Sequence, residues 1–414
     1  MNNCRLADVC LKITDGSHFS PQGISEGYPM LSVKDMSDYG FSYASCKYIS
    51  KEDYEKMLKN GCVPKKNDVL IAKDGSYLKH VFIVSNDKEQ AILSSIGILR
   101  PNLEKVTPQF IKYYLSLPSI KEQVARKYVT GTALPRIILK NFSDIAIPLI
   151  DIDNQKNITY LLEKLDSKIE NNTKQIEFLE SLAKTIYDYW FVQFDFPNED
   201  GKPYKSSGGK MVWDNYIKRE IPEGWDVKKI KEIESNIITG KTPSTKDESN
   251  FGKDIPFITI GDIRGKSFVT NTEISLSFSG ANSQKNKFIP KHSLCVTCIA
   301  TPGLIGITTK ESQTNQQINS INCKYEQNLY YLFFAIKDYF KYSSGAKTGN
   351  TFLNMNKEDF SNIELVYNKN VIKQFYETVC GIFNQIEKNE LCNQKLCELK
   401  DWILPLLMNG QVHV

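Results

Sequence analysis

Apolar residues recur along the middle of the chain at Ile158, Leu162, Leu165, Ile169, Ile176, Leu179, Ala183, Ile186 and Trp190, with Asn172 filling the one gap in the series. The steps alternate four and three, which is the heptad spacing that holds one helical stripe against a partner helix. Asp153 is the expected N-cap of this helix. A second stripe follows 217 residues later through Phe375, Val379, Ile382, Ile386, Asn389, Asn393, Leu396, Lys400, Ile403 and Leu407, with Asn370 where Asp153 stood. Asn172 and Asn389 hold equivalent places, and a lone Asn in such a seam selects register and partner at some cost in stability. The spacing predicts that the two helices pair with each other, antiparallel, as a two-helix coiled coil. The pairing residues are Leu165, Ile169, Asn172, Ile176 and Leu179 on one helix and Ile382, Ile386, Asn389 and Leu396 on the other. A helix of about 33 residues spans roughly 50 Å, the length of a rigid spacer. Docking of each helix on its own globular domain is the alternative, and Asn393 and Lys400 make the second stripe less regular.

Outside these stripes the pattern changes to short apolar runs such as DVLIA and IPFITI, read as strands, and to helical segments such as PQFIKYYLSL. The fold class is therefore mixed α/β. The globular parts repeat each other. TPQFIKYYL at 107–115 matches YEQNLYYLF at 325–333, with Gln109 on Gln327 and Tyr113 on Tyr331. The same offset of 218 carries Thr130 onto Thr348, Gly131 onto Gly349, Phe142 onto Phe360 and Ile145 onto Ile363. Upstream, YPMLSVKDM at 28–36 matches IPFITIGDI at 255–263 at an offset of 227, so the first copy carries about nine extra residues. The copies agree at apolar and turn positions and differ at most polar ones, as one fold used twice with different surfaces does. The expected organisation is a first globular copy (1–150), a first long helix (151–193), a linker rich in Pro, Gly and Ser (194–224), a second copy (225–368) and a second long helix (369–414), with pseudo-two-fold symmetry between the halves.

Composition narrows this only a little. A hydrophobic fraction of 41% and a charged fraction of 24% are those of a globular protein, and the net charge of +4 permits nucleic-acid binding without demanding it. The N-terminal residues hold no apolar core of signal-peptide length, and the longest apolar run, Leu329 to Ile336, is too short to span a bilayer, so a cytoplasmic location is expected. The ten cysteines read as reduced thiols. Cys295 and Cys298 have CxxC spacing, but within a strand-like segment such residues point to opposite faces and suit a core better than a metal.

Catalytic constellations are represented only by near misses. SNIITGKT (235–242) ends like a phosphate-binding loop but begins with Ser235 instead of glycine, and the cognate stretch of the first copy reads KITDGSHF. The chain has four histidines (His18, His80, His292 and His413), no HExxH and no N/D-P-P-F/Y tetrapeptide. The expectation is a chain with no active site, metal or cofactor of its own.

The duplicated domains, the long helix after each and the stretch YDYWFVQFDFPNEDGKPYKSSGGKMVW followed by REIPEGWDVKKI resemble the specificity subunits of type I restriction–modification systems. TNQQI (314–318) and the TGxT-type loops at 130 and 348 have counterparts there, and the resemblance covers essentially the whole chain. It implies two target-recognition domains, each reading one half of a bipartite double-stranded DNA sequence. The helices would set the gap between the halves and dock two methyltransferase subunits. Those partners would bind S-adenosylmethionine and methylate adenine N6, and a motor–nuclease restriction subunit would use ATP and Mg.

Base edges are read by side chains that donate or accept two hydrogen bonds, and phosphates by Lys, Arg, hydroxyls and amides near glycine. In the first copy these requirements select Lys73, Ser76, Tyr77 and Lys79, with Thr130, Thr132 and Arg136. In the second they select Asn315, Gln316, Gln317, Lys347, Thr348, Asn350 and Thr351. Two other readings stay open: the specificity subunit of another DNA-modification or phage-defence assembly, and a protein–protein scaffold built on a helical ruler.

Overall fold

Two strands, Val69–Ala72 and Leu294–Thr297, are buried along their whole length, and each is the centre of a sheet. Such strands need a neighbour on both edges and cover on both faces, which the apolar run VLIA and the LCV of the second strand allow. The computed structural model describes residues 3–73, 78–130, 136–148, 150–346 and 354–412. The chain divides into two compact units, Met1–Glu170 with Leu396–Val414, and Asn171–Lys395.

In the first unit the main sheet runs Cys10–Asp15, Ile96–Pro101, Val69–Ala72, Val81–Ile83, antiparallel throughout. In the second it runs Ile237–Thr239, Ile318–Ile321, Leu294–Thr297, Ile305–Thr308, with Phe268–Val269 added as a parallel fifth strand. Each unit also has a three-stranded sheet whose third strand is parallel: Lys47–Ile49, Tyr28–Leu31, Ala91–Ile92 in one and Ile274–Leu276, Phe251–Ile258, Gln313–Thr314 in the other. A terminal pair closes each domain, Asn3–Arg5 with Ala146–Pro148 and Asp226–Lys229 with Glu364–Tyr367. The duplication seen in the sequence is thus a duplication of topology.

The first long helix, Ile152–Tyr187, contributes its start to the first unit and its remainder to the second, and the second long helix, Lys369–Met408, does the converse. Their caps lie two residues before the expected ones. Asp151 Oδ1 accepts from the Asn154 amide at 2.9 Å, and Asn368 Oδ1 accepts from Asn370 and Val371 at 3.0 and 3.1 Å. A capping side chain must reach amides two or three residues ahead, whereas Asp153 is already in the first turn. The first helix ends in a π-turn, Asp188–Val192, before Phe194 at φ +63°.

The segment expected as a linker is folded against the second unit. Phe194, Phe196 and Trp225 are buried and in ring contact, and Asp195 accepts from the Ser206 amide at 2.7 Å and hydroxyl at 2.6 Å. A hairpin pairs Met211–Asp214 with Arg219–Pro222. Clustered Pro and Gly produced tight turns here, and the interleaved aromatics supplied a reason to pack. The CxxC cysteines are core residues: Cys295 packs with Ile258 and Ile263, while Cys298 joins the main aromatic cluster. Burial pushes their thiols up to about 12 and about 11. Among the described residues, no helix is long and apolar enough to cross a membrane.

Within the second unit the two helices run antiparallel: Asn172 meets Asn393, and Tyr187 meets Phe375 with ring centroids 6.1 Å apart. Asn172 donates to Asn393 Oδ1 at 2.9 Å, and Asn389 donates to Gln175 Oε1 at 3.2 Å, so the two equivalent asparagines have different partners. Ile386 is fully buried, while Ile176, Leu179 and Ile382 are partly so. Leu396 is half-buried at the start of the segment that belongs to the first unit, where Leu165 and Ile169 are also buried. Lys400, which breaks the apolar stripe, there meets Asp166 at 2.6 Å.

Asp166 also accepts from Lys112 at 2.7 Å and Tyr113 OH at 2.9 Å, both on the domain helix Pro108–Ser116. Burial raises this carboxyl, but the two ammonium groups outweigh it and hold it below the usual range. The repeat offsets place Phe383 where Asp166 stands, Tyr330 at Lys112 and Ala183 at Lys400. In the second unit the Phe383 ring stacks on Tyr330 at 4.0 Å, with Phe333 and Phe334 edge-on at 5.7 and 5.8 Å. One joint is ionic and the other aromatic.

Two outcomes are expected. Asp166→Ala strands two half-buried ammonium groups and costs about 3 kcal/mol, read as a lower urea midpoint with unchanged slope. Glu390 accepts from the Phe268 amide at 2.9 Å and the Ser267 amide at 3.2 Å, beside Glu180, which accepts from Ser267 Oγ, and near Lys266. Desolvation, aided by Glu180, pushes its carboxyl from 4.5 up to about 7. A raised acid favours the folded state while protonated: that contribution is complete below pH 4.5 and is lost as pH rises through about 7. Stability therefore falls between about pH 4.5 and about pH 7, and Glu390→Gln flattens that slope in urea titrations.

Candidate nucleic-acid interface

At one end of each main sheet, two loops are pressed together by a glycine. In the first unit the strand Cys10–Asp15 leads into Gly16, where a Cβ would collide with Ile92 O. The Ser17 amide donates to that same oxygen at 2.8 Å, and the Ser94 amide returns a bond to Ser17 O at 2.9 Å. In the second unit Ile237–Thr239 leads into Gly240, where a Cβ would collide with Asn315 O and Thr314 Oγ1. Here the Lys241 amide donates to Thr314 O at 2.9 Å. Gly16 and Gly240 are thus the same structural residue, as are Ser17 and Lys241, His18 and Thr242, and Ser94 and Gln316.

The same scaffold presents different chemistry. In the first unit Ser17 Oγ bonds the Phe19 carbonyl at 2.7 Å, and the Phe19 side chain stands exposed. His18 Nε2 lies 3.3 Å from Asp15, which also binds Lys73 at 2.5 Å. In the second unit Asn315 holds a turn on itself, its Oδ1 accepting from the Gln317 amide at 3.1 Å and its Nδ2 donating to Gln317 Oε1 at 3.0 Å. Thr242 Oγ1 donates to Gln316 Oε1 at 2.7 Å across the two loops. Buried Gln284 donates to Lys241 O at 2.8 Å and to Gln313 Oε1 at 2.7 Å, and Lys287 donates to Thr239 O at 2.9 Å.

The residues selected from sequence distribute unevenly over this site. Asn315, Gln316 and Gln317 form the second unit's turn, with Gln316 exposed and its neighbours half-buried. Lys79 is exposed on the first unit. Lys73 is only 4% exposed, with its ammonium on Asp15 and its amide on Ser95 O at 2.9 Å. It supports the first loop pair from beneath instead of reaching a phosphate, because the residue after a buried strand faces the interior here. Thr130 and Arg136 lie opposite each other in a short antiparallel ladder, and their side chains fall outside the described set. Ser76, Tyr77, Thr132, Lys347, Thr348, Asn350 and Thr351 lie outside the described residues.

His18, Phe19 and Thr242 are not among the residues selected from sequence, although each lies within three residues of the glycine in KITDGSHF or SNIITGKT. The phosphate-loop reading of SNIITGKT does not survive the fold. Such a loop must open a helix whose N-terminus faces the phosphates, whereas the next helix after Thr242 is the single 3-10 turn Glu248–Asn250. No group of three or more His, Cys, Asp or Glu among the described residues could hold a metal ion.

Comparison with known proteins places this geometry in context. The family described as the type I restriction modification DNA specificity domain matches residues 2–181 and 222–367. The chain is 32% identical over 405 residues to the type I restriction enzyme HindI specificity subunit of Haemophilus influenzae, across 84% of this chain and 87% of that protein. It is 28% identical over 208 residues to the MjaVIII specificity subunit of Methanocaldococcus jannaschii, across 50% of this chain and 45% of that one. In fold it is similar to the crystal structure of the type I restriction–modification S subunit from M. genitalium, with a TM-score of 0.56 and 14% identity over 98% of this chain and 95% of that chain.

The glycines provide a direct check on the loop geometry. Gly16→Ala and Gly240→Ala force backbone apart and are each expected to cost about 3 kcal/mol. Gly201→Ala, at φ +73° but with nothing within 4 Å of its Cβ, is expected to cost about 1 kcal/mol from conformation alone. Urea unfolding followed by tryptophan fluorescence separates the two classes.

Proposed function

The chain belongs to the family of type I restriction–modification specificity subunits, and from that premise we propose that each of its two domains reads one half of a bipartite duplex DNA sequence. The observation that carries this reading is the pair of loop tips: one backbone arrangement, built on Gly16 and again on Gly240, bearing Ser17, His18, Phe19 and Ser94 in one case and Lys241, Thr242, Asn315 and Gln316 in the other. Two readers of different half-sites need such a pair. Base edges are distinguished by the donors and acceptors presented in the major groove, and the scaffold that presents them has no reason to change.

The long helices set the gap between the half-sites and offer docking surfaces to two methyltransferase subunits. The chain itself is non-catalytic and acts in the cytoplasm. S-adenosylmethionine is bound by the methyltransferase subunits, which flip and methylate adenine, and ATP and Mg are used by a restriction subunit. Joining two modest half-site readers in one chain makes the second contact intramolecular, which raises affinity without adding contacts.

Single-molecule methylation mapping of DNA from cells co-expressing this chain and its methyltransferase subunit tests the proposal. Methyladenine is expected in one split motif with a fixed gap, and replacement of residues 1–150 is expected to change only one half. In gel shifts the complex should prefer that motif and lose affinity steeply with salt. An active methyltransferase complex whose methylation does not depend on this chain would exclude the modification role, and binding without sequence preference would favour a scaffold.

A further inference from the structure

The second unit holds a cavity of about 190 Å³ where Tyr187, Phe191 and Val192, at the end of the first long helix, meet Arg219 of the hairpin and the helix Gln327–Ala346. Arg219 is exposed, but its guanidinium lies against the cavity wall, 4.7 Å from the centre of the Phe194 ring. A guanidinium has five N–H donors, and the bond recorded for this one is a long contact to Phe191 O at 3.5 Å. Among the described residues no carboxylate pairs with it. Of the two carboxylates on the wall, Asp338 is held by Lys184 at 3.3 Å and Glu364 lies beyond ion-pair distance of Arg219. Burial accordingly pulls the Arg219 guanidinium below its ordinary range, whereas Arg100, bonded to Asp68 at 2.7 Å, is shifted upward.

The fold does not require this opening. The repeat offsets of 217 and 218 place Leu117, Ile120 and Val124 of the first domain at Ala335, Asp338 and Tyr342, and Leu404 and Met408 at Tyr187 and Phe191. All five are buried in one apolar cluster of the first unit. One copy of the fold packs this place shut with hydrocarbon, and the other keeps a cavity with an uncompensated cation on its wall. Desolvating a cation without a counter-charge costs stability, as does a cavity. The cavity therefore has a cost that the fold avoids elsewhere, and its chemistry complements an anion.

Size and rim identify the carrier of that anion. Sites for small molecules and cofactors run to about 300–1,000 Å³, so this one suits a single carboxylate side chain and is too small for a nucleotide. Its mouth exposes Val192 and Tyr342, the latter 60% exposed, and Tyr216 stands 80% exposed in the hairpin turn beside Ile217. An arginine among tyrosines is the composition of a protein-binding hot spot. Tyr189, Leu182 and Phe178 are exposed as well, at helical spacings of seven and four, and lead from the mouth along the first long helix.

We propose that the Arg219 cavity accepts an acidic side chain of a methyltransferase subunit, a contact that the second unit offers and the first lacks. This rests on the docking role proposed above. The test titrates the full chain with the methyltransferase subunit and resolves the 1:1 and 2:1 complexes by sedimentation velocity at two salt concentrations, for the wild type, Arg219→Gln, Arg219→Lys and Tyr342→Glu.

Arg219→Gln should raise one of the two dissociation constants on the order of 10-fold, spare the other and flatten the salt dependence of the weakened step. Arg219→Lys keeps the charge and should fall between. Tyr342→Glu leaves Arg219 in place and should weaken the same step, because a carboxylate at the mouth repels the incoming one. Two binding steps unchanged by Arg219→Gln overturn the inference and leave the docking role standing, as does equal weakening of both steps. Weakening by Arg219→Gln that accompanies a lower urea midpoint, and that Tyr342→Glu does not share, also overturns it, since the arginine then acts inside the fold. Free acetate that stabilises the wild type but not Arg219→Gln, with both binding steps unaltered, assigns the cavity to a free anion and overturns it too. A wild-type chain that binds no methyltransferase subunit removes the docking role and this inference together.

Discussion

A recognition domain can present its loops in a defined place only if it is locked to the helices beneath it. In the first unit that lock is the Asp166 carboxylate, which gathers Lys112 and Tyr113 from the domain and Lys400 from the second long helix. Three donors on one buried carboxylate fix the rotation of the domain helix about its axis as well as its position. In the second unit Phe383, Tyr330 and Ala183 stand in the places of Asp166, Lys112 and Lys400, Tyr331 in that of Tyr113, and stacked rings take over from charge. Ionic and aromatic joints cannot be exchanged piecemeal. Phe383 opposite a lysine would bury an unpaired ammonium, and Asp166 opposite an alanine would lose one of its two counter-charges. Duplication supplied two identical joints, and divergence has made each of them specific.

The same contrast recurs at the tips. Lys73 and Asp15 support the first loop pair as a buried ion pair, whereas the corresponding place in the second has Cys298, bonded by Asn319, whose oxygen accepts from Thr239 at 2.6 Å. Polar residues change freely between the copies because each needs only a partner in its own domain. Glycines at the loop contact cannot change, since the backbone of the neighbouring loop occupies the space of a Cβ. A fixed scaffold with variable polar chemistry follows from those two constraints.

Much of this was legible in the sequence. Heptad spacing located both long helices, and the repeat offsets showed that one fold occurs twice. Local rules went astray where they lacked a partner to test against. Asp153 and Asn370 looked like caps, but the caps are Asp151 and Asn368, because capping depends on which amide a side chain reaches. Pro and Gly between 194 and 224 suggested a linker, yet Phe194, Phe196 and Trp225 fold it into a core. Lys73 carried the right charge for a phosphate contact and proved to be buried.

The sequence by itself determined element type, the duplication and the family, since each depends on periodicity or similarity along one dimension. Tertiary structure decided which polar groups are spent inside the protein and which remain for a ligand. Lys400 looked like a flaw in a seam until Asp166 stood opposite it, and Thr242 looked like the end of an incomplete phosphate-binding loop until Gln316 met it from a loop 74 residues away. A side chain's chemistry is a property of its type, but its availability depends on neighbours that only the folded chain brings within hydrogen-bond range.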